Sequence, residues 1–152
     1  HPNHKGLTEA LHKLNPGDEI ILRKPSGTIN YKGKGTFIAG GVGITPFIAI
    51  FRDLRDKNQL QGNKLIFSNK TSKDIILEKE LKEMFGHDLI LTLTRENNPN
   101  YYNKRIEEDF LEKHIHDFKQ QFYICGPKMF VKDVKQILED FGAKTEEIVI
   151  EE

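Results

Sequence analysis

The sequence predicts an α/β domain, a five-stranded parallel sheet with helices on both faces, preceded by the tail of an antiparallel unit. Three observations carry that reading. From Thr36 onward, short β-branched or aromatic apolar runs alternate with helical patterns. The runs are nearly continuous in apolar residues, as strands covered on both faces are. Two of them end in glycine turns that open directly into amphipathic helices, the way strands connect to helices in doubly wound folds.

The strand candidates are "TFIAG", "KLIFS", "DLILTLT", "QFYIC" and "EEIVIE". The first helix, over residues 46–57, puts Phe47, Ile50, Phe51 and Leu54 on one stripe, with Arg52, Asp53, Arg55 and Asp56 largely opposite. A second, around 75–85, carries Ile76, Leu77, Leu81 and Phe85. The third, near 106–115, carries Ile106, Phe110 and Leu111. The last, over 127–141, carries Phe130, Val134, Ile137, Leu138 and Phe141, and Gly142 is its expected stop. Before this succession come an "NPGD" turn, a strand "EIILR", a Pro-Ser-Gly turn and a short strand "TINY", a texture of antiparallel structure. The polar stretch "RENNPNYYNK" is either a solvated connection or a ligand-facing one.

Composition narrows the function classes. Among 152 residues, 23 Lys and Arg balance 23 Asp and Glu, with no basic block, so nucleic acid is not an expected partner. No apolar run reaches membrane-spanning length. The one cysteine, Cys125, allows no internal disulfide and suits a reducing compartment, so the expected location is cytoplasmic. His114 and His116 are two apart and diverge on a helix, and no metal-ligand set is expected. The chain opens at His1 and reads there as the middle of something longer.

In "GGVGITP" the backbone turns sharply from strand to helix, and Gly40, Gly41 and Gly43 permit positive φ and close approach by another group. Thr45 is expected to cap the new helix and Pro46 to take its first position. Such a helix start seats a phosphate or pyrophosphate. It is not a P-loop, because no Gly-Lys-Ser/Thr follows, and Pro46 stands where a G-x-G-x-x-G fingerprint has its third glycine. "YICGPKMF" repeats the device with Gly126 and Pro127. With the strand order 3-2-1-4-5, the strands ending at Gly40 and Cys125 are neighbours across the switch point, and both turns open into one crevice. Cys125 then lies on its floor, either as a ligand-facing thiol or as a small buried residue.

"FIAGGVGITPF" and "YICGPKMF", in this order and separation, resemble the pyridine-nucleotide domain of the ferredoxin–NADP reductase superfamily, most similar to bacterial flavodoxin or ferredoxin reductase-like members. The similarity extends through "SNKTSKDIILEKEL", "LTREN" and "FGAKTEEIVIEE". Upstream, "HKGLTEALHKLNPGDEIILRKPSG" looks like the last part of a flavin-binding barrel, which makes residues 1–34 a barrel remnant and 35–152 the NAD(P)-binding domain.

The resemblance implies an FAD-dependent NAD(P)H oxidoreductase passing hydride from nicotinamide C4 to flavin N5, then electrons to a protein acceptor such as flavodoxin, ferredoxin or a fused redox domain. It assigns Gly6, Leu7 and Thr8 to the FAD pyrophosphate. Gly40, Gly41, Val42, Gly43, Ile44, Thr45 and Pro46 fall under the nucleotide pyrophosphate, with Asn69, Lys70 and Thr71 beside them. Thr94 and Arg95 match the position that meets an adenosine 2′-phosphate, which leans toward NADPH with NADH as the other candidate. Cys125, Gly126, Pro127 and Met129 form the nicotinamide end, and Cys125 and Thr45 take the catalytic positions. Asp74 looks ligand-adjacent, although "TSKD" also reads as a side-chain cap. The family's Arg-x-Tyr-Ser flavin motif is absent, and the chain closes on "EE" where an aromatic could cover a flavin. The rival expectations are a non-catalytic nucleotide-binding module and an electron-transfer subunit of a larger complex.

Overall fold

The computed structural model describes residues 6–22 and 29–151. A short helix α1 (Leu7–His12) precedes a regular alternation: β1 (Gly35–Gly40), α2 (Thr45–Asp56), β2 (Lys64–Asn69), α3 (Glu78–Phe85), β3 (Leu89–Leu93), α4 (Glu108–His114), β4 (Gln121–Cys125), α5 (Lys128–Asp140) and β5 (Ile148–Ile150). The strands form one sheet in the order β3-β2-β1-β4-β5, every pair parallel. The strand order reverses between β1 and β4, where Ala39 pairs with Cys125.

Alternation along each strand divides the core into two layers. Phe37, Leu65, Phe67, Leu91 and Tyr123 face α2 and α3, meeting Phe47, Phe51, Leu81 and Phe85. Phe37 sits edge-on to Phe47 and Phe51 at 5.1 and 4.8 Å, and Phe51 edge-on to Phe85 at 4.7 Å, the geometry that ring quadrupoles favour. On the other face Ile38, Ile66, Ile90, Phe122 and Ile124 meet Phe110 and Leu111 of α4 and Val131, Val134 and Leu138 of α5. Outside the first layer, Arg52 grips Glu80 through two 2.8 Å hydrogen bonds and ties α2 to α3.

Two expectations need correction. The second helix starts at Glu78, because Leu77 takes a left-handed conformation (φ 54°) that a helix cannot pass through. No strand forms in the described part of "EIILR" or "TINY": Ile20, Ile21 and Leu22 are exposed, and an isolated hairpin lacks the partner strands that would hold it. The Pro-Ser-Gly turn between them lies outside the described residues. The stretch "RENNPNYYNK" is exposed over most of its length, as a solvated connection is. It folds back along the edge of β3, where Tyr102 N–H donates to Leu91 O (3.1 Å) and Leu93 N–H to Tyr102 O (2.8 Å), covering part of an open strand edge.

His114 closes α4 against Tyr102 and Phe110, ring centroids 4.7 and 4.6 Å away, and its Nε2 is buried without a partner. Burial first, then the charges of Lys113 and Lys64, push its imidazole below the ordinary histidine range. The unfolded chain therefore binds this proton more readily, and stability is lost as pH falls through about 6.5. The H114F variant is expected to lose less stability than wild type between pH 7.5 and 5.5 in urea unfolding; equal losses would show that His114 carries none of the acid sensitivity.

Candidate functional site

Both glycine turns lie at the carboxyl edge of the sheet, and their contact is made of backbone. After β1 the chain makes a single 3-10 turn, Gly41–Ile44, before α2. Gly41 has φ 55°, a conformation that favours glycine, and open space where a side chain would be. Gly43 is different. A Cβ there would overlap the carbonyl of Cys125 and the nitrogen of Gly126, so the first turn lies directly on the second. Gly40 and Gly126 in turn leave room for the ring of Phe130, which a Cβ on either would meet at 3.1 and 2.7 Å.

Beside this junction runs a cleft of about 510 Å³. Gly40, Gly41 and Val42 line it from the first turn, Pro127 and Phe130 from the second. Ser68, Asn69 and Lys70 line it from the end of β2, and Asp74, Ile76 and Thr94 complete the far end. Asn69 is 4% exposed, and neither its Oδ1 nor its Nδ2 has a hydrogen-bond partner, although its backbone carbonyl accepts from Thr94 N–H at 2.9 Å. A buried amide without partners costs about 1–3 kcal/mol. The residue lines the cleft, and its amide keeps hydrogen-bonding capacity that no described group uses.

Of the residues expected at the site, Gly40, Gly41, Val42, Asn69, Lys70, Thr94 and Pro127 come together in this wall. Gly43 and Gly126 serve by their contact beneath it. Ile44 does not present its side chain to a ligand, because that side chain is wholly buried in the core. Thr45 does not cap α2 through its side chain: its hydroxyl donates back to Val42 O at 2.9 Å and braces the turn, and Pro46 follows it as the second helical residue. Thr71 is engaged in a cap, its N–H and hydroxyl both donating to Asp74 Oδ2 at 2.9 and 2.8 Å. Arg95 and Met129 are exposed, and neither lines the cleft.

Cys125 does not line this cleft; at the end of β4 its thiol donates to Glu151 Oε2 across 3.8 Å. Burial, then the Glu151 carboxylate, pushes this thiol up to about 11. A thiol raised in this way stays protonated at neutral pH, which disfavours thiolate chemistry at this position. Ser68, Ile76, Phe130 and Glu151 were not among the expected site residues. Only Glu151 left a signal, since pairing of Ile124 with Ile150 carries Cys125 opposite it once the strand order is known.

The flavin residues assigned by resemblance fall on α1. Gly6 precedes this helix with no side-chain cap, Leu7 is 77% exposed, and nothing is described of the Thr8 side chain. Leu11 and Leu14 are exposed as well. Among the described residues these belong to one short, exposed helix.

Sheet order, switch-point cleft and glycine turns define a doubly wound nucleotide-binding domain. Residues 37–136 match the oxidoreductase NAD-binding domain, and the chain belongs to that family, within the ferredoxin–NADP reductase superfamily. NADH-cytochrome b5 reductase 3 of Rattus norvegicus is 29% identical over 83% of this chain and 52% of its own length. Nitrate reductase [NADPH] of Aspergillus niger is 31% identical over 93% of this chain and 19% of its own. Among solved structures, the CS-b5R domains of human Ncb5or in the NAD+ form match with a TM-score of 0.80 and 26% identity, over 99% of this chain and 46% of that one. The chain thus spans about half or less of each of these proteins.

The two glycines of the first turn should respond differently to alanine. G43A forces backbone apart and is expected to cost about 2–4 kcal/mol in urea unfolding. G41A meets no atom and is expected to cost about 1–2 kcal/mol, for its left-handed φ alone. Equal losses would contradict the close contact at Gly43.

Proposed function

We propose that the chain is the nucleotide-binding part of an FAD-dependent NAD(P)H oxidoreductase, holding a nicotinamide nucleotide across the cleft with its ring toward Cys125. The observation that carries this reading is Asn69, a buried amide with both polar atoms unpartnered in the wall of the cleft. A dinucleotide supplies ribose hydroxyls, phosphate oxygens and a carboxamide, any of which completes that amide. The pyrophosphate lies at the start of α2, where backbone N–H groups and the helix dipole favour negative charge. Gly41 lets it approach the backbone, and Thr45 fixes the turn beneath it.

At the far end from Lys70, the neutral Cys125 thiol, Gly126 and Pro127 bound the place of the nicotinamide. The chain's contribution is orientation: it holds the reduced ring at one face so that hydride leaves toward a partner group. FAD accepts hydride and releases electrons singly when it is bound. In this proposal the flavin is held by more than the described residues, with residues 1–34 as the end of its barrel and 35–152 as the nucleotide domain. The relatives are named for cytochrome b5 and for nitrate, so we favour a haem protein of the cytochrome b5 kind as acceptor over flavodoxin or ferredoxin. Among the described residues no helix is long and apolar enough to cross a membrane.

Titration of the chain with NADH, followed by anaerobic addition of FAD, tests the reading. Wild type is expected to bind NADH, and bleaching of the flavin band would show that these residues also seat FAD for hydride transfer. N69L is expected to bind NADH about tenfold more weakly, a difference of about 1.4 kcal/mol, while unfolding at a higher urea concentration because an unsatisfied amide is gone. Unchanged NADH affinity in N69L would remove the central support. Binding without flavin reduction would reduce the chain to a nucleotide-binding module.

A further inference from the structure

Helix α3 begins directly after a backbone conformation that leucine rarely adopts. Among the described residues only Asn58 and Leu77 combine a side chain with a positive φ, at 55° and 54°. Asparagine tolerates this region through local hydrogen bonds of its short side chain, whereas leucine meets a clash between its Cβ and the backbone. Both sides of the turn are pinned. Upstream, Ile75 N–H donates to Ser72 O at 3.2 Å, and the Asp74 carboxylate takes the N–H and the hydroxyl of Thr71. Downstream, Leu77 O accepts from Leu81 N–H at 3.0 Å and opens the helix.

The turn also reverses which apolar side chains are covered. Leu81 and Phe85 form the buried stripe of α3. A helix continued back from Glu78 in step with them would put Leu77, four residues before Leu81, on that same stripe. Instead Leu77 is 42% exposed, while Ile75 and Ile76 pack against the core layer that holds Phe37 and Phe67. Ile76 goes further than its neighbour and lines the cleft. An unfavourable φ and an exposed leucine therefore accompany the arrival of Ile76 in the cleft wall. A backbone outlier beside a site directs attention to the group it positions.

Resting on the nucleotide-binding reading above, we propose that Leu77 is a positioning residue: its left-handed backbone holds Ile76 in the cleft wall, where Ile76 gives the bound nucleotide an apolar surface. Leu77 does not itself line the cleft, so it acts through Ile76. Asn69, Lys70 and Thr94 supply polar groups to the same wall, and an apolar side chain among them covers a ring or sugar face that hydrogen bonds leave bare.

Binding of NADH to the whole chain, followed by nucleotide fluorescence alongside urea unfolding, tests this with I76A, L77V, L77G and the I76A/L77V double variant. I76A is expected to weaken NADH binding about three- to tenfold, the scale of a few partly buried methylenes. L77V is expected to weaken it by about the same factor, because a β-branched residue resists positive φ. L77G adopts that φ freely and is expected to stay within about twofold of wild type. The double variant is expected to bind no more weakly than the weaker single variant, because both changes remove the same piece of wall. A merely structural role for Leu77 would shift urea midpoints and leave the losses of affinity additive, and that result would overturn the proposal. So would I76A or L77V binding NADH like wild type, or L77G losing as much affinity as L77V. In each of these cases wild type still binds NADH and the nucleotide-binding reading stands. A wild-type chain that does not bind NADH would overturn both.

Discussion

The cleft depends on the contact between Gly43 and the peptide joining Cys125 to Gly126. Strands β1 and β4 are far apart in sequence, and their neighbourhood is the place where the sheet changes direction. A side chain at Gly43 would hold the two turns apart. Its absence lets backbone rest on backbone, while the spaces at Gly40 and Gly126 are taken by the ring of Phe130. The floor is thus rigid for a packing reason, and the polar groups of both turns open to one side. Under the proposed function a nucleotide meets peptide groups there at short range, which is the approach that a charged pyrophosphate requires.

On that floor the fold carries a local destabilisation. Asn69 keeps two polar atoms buried and unpartnered, although a leucine of similar shape would satisfy the same space at lower cost. The thiol of Cys125 shows the opposite arrangement, held neutral by burial and by Glu151. The cleft wall therefore holds an amide with no hydrogen-bonding partner, while the thiol at the end of β4 is chemically quiet. Such a pair suits a protein that positions a ligand and leaves the electron chemistry to cofactors, because a reactive thiolate beside a hydride donor would invite side reactions.

Much of this was legible in the sequence. Strand runs rich in Ile, Leu and Phe, helices with a single apolar stripe, and two glycine turns pointed to a doubly wound domain, whose common strand order is the one found. The crevice followed, since strand order alone decides which turns meet. What escaped was set by conformations and contacts that no local pattern encodes. A leucine in the left-handed region delays α3 by three residues, and nothing in "IILEK" announces it. Thr45 turned its hydroxyl backward because the 3-10 turn puts Val42 O within reach, an alternative that a threonine always has. Glu96 looked like one acid in a polar loop, and only the continued pairing of β2 with β3 brings it to Ser72.

The segment before the sheet is organised by a different side chain. The Tyr123 hydroxyl, at the end of the sheet opposite the cleft, accepts from the N–H groups of Lys32 and Gly33 at 2.9 and 3.0 Å and donates to Gly33 O at 2.8 Å. Tyr31 stacks on the same ring with centroids 5.9 Å apart. Residues 31–33 are therefore locked to the floor of the domain, while Leu7, Ile20, Ile21 and Leu22 remain exposed. Entry to the domain is fixed at one end of the strands, and the cleft lies at the other. Under the proposed function, whatever carries the flavin must reach along the molecule from residues 31–33 to the Cys125 end, and the rigidity of that anchorage governs how reproducibly it meets the nicotinamide. Orientation at the cleft is then set from both ends of β4, by Tyr123 on the linker and by Cys125 on the ring.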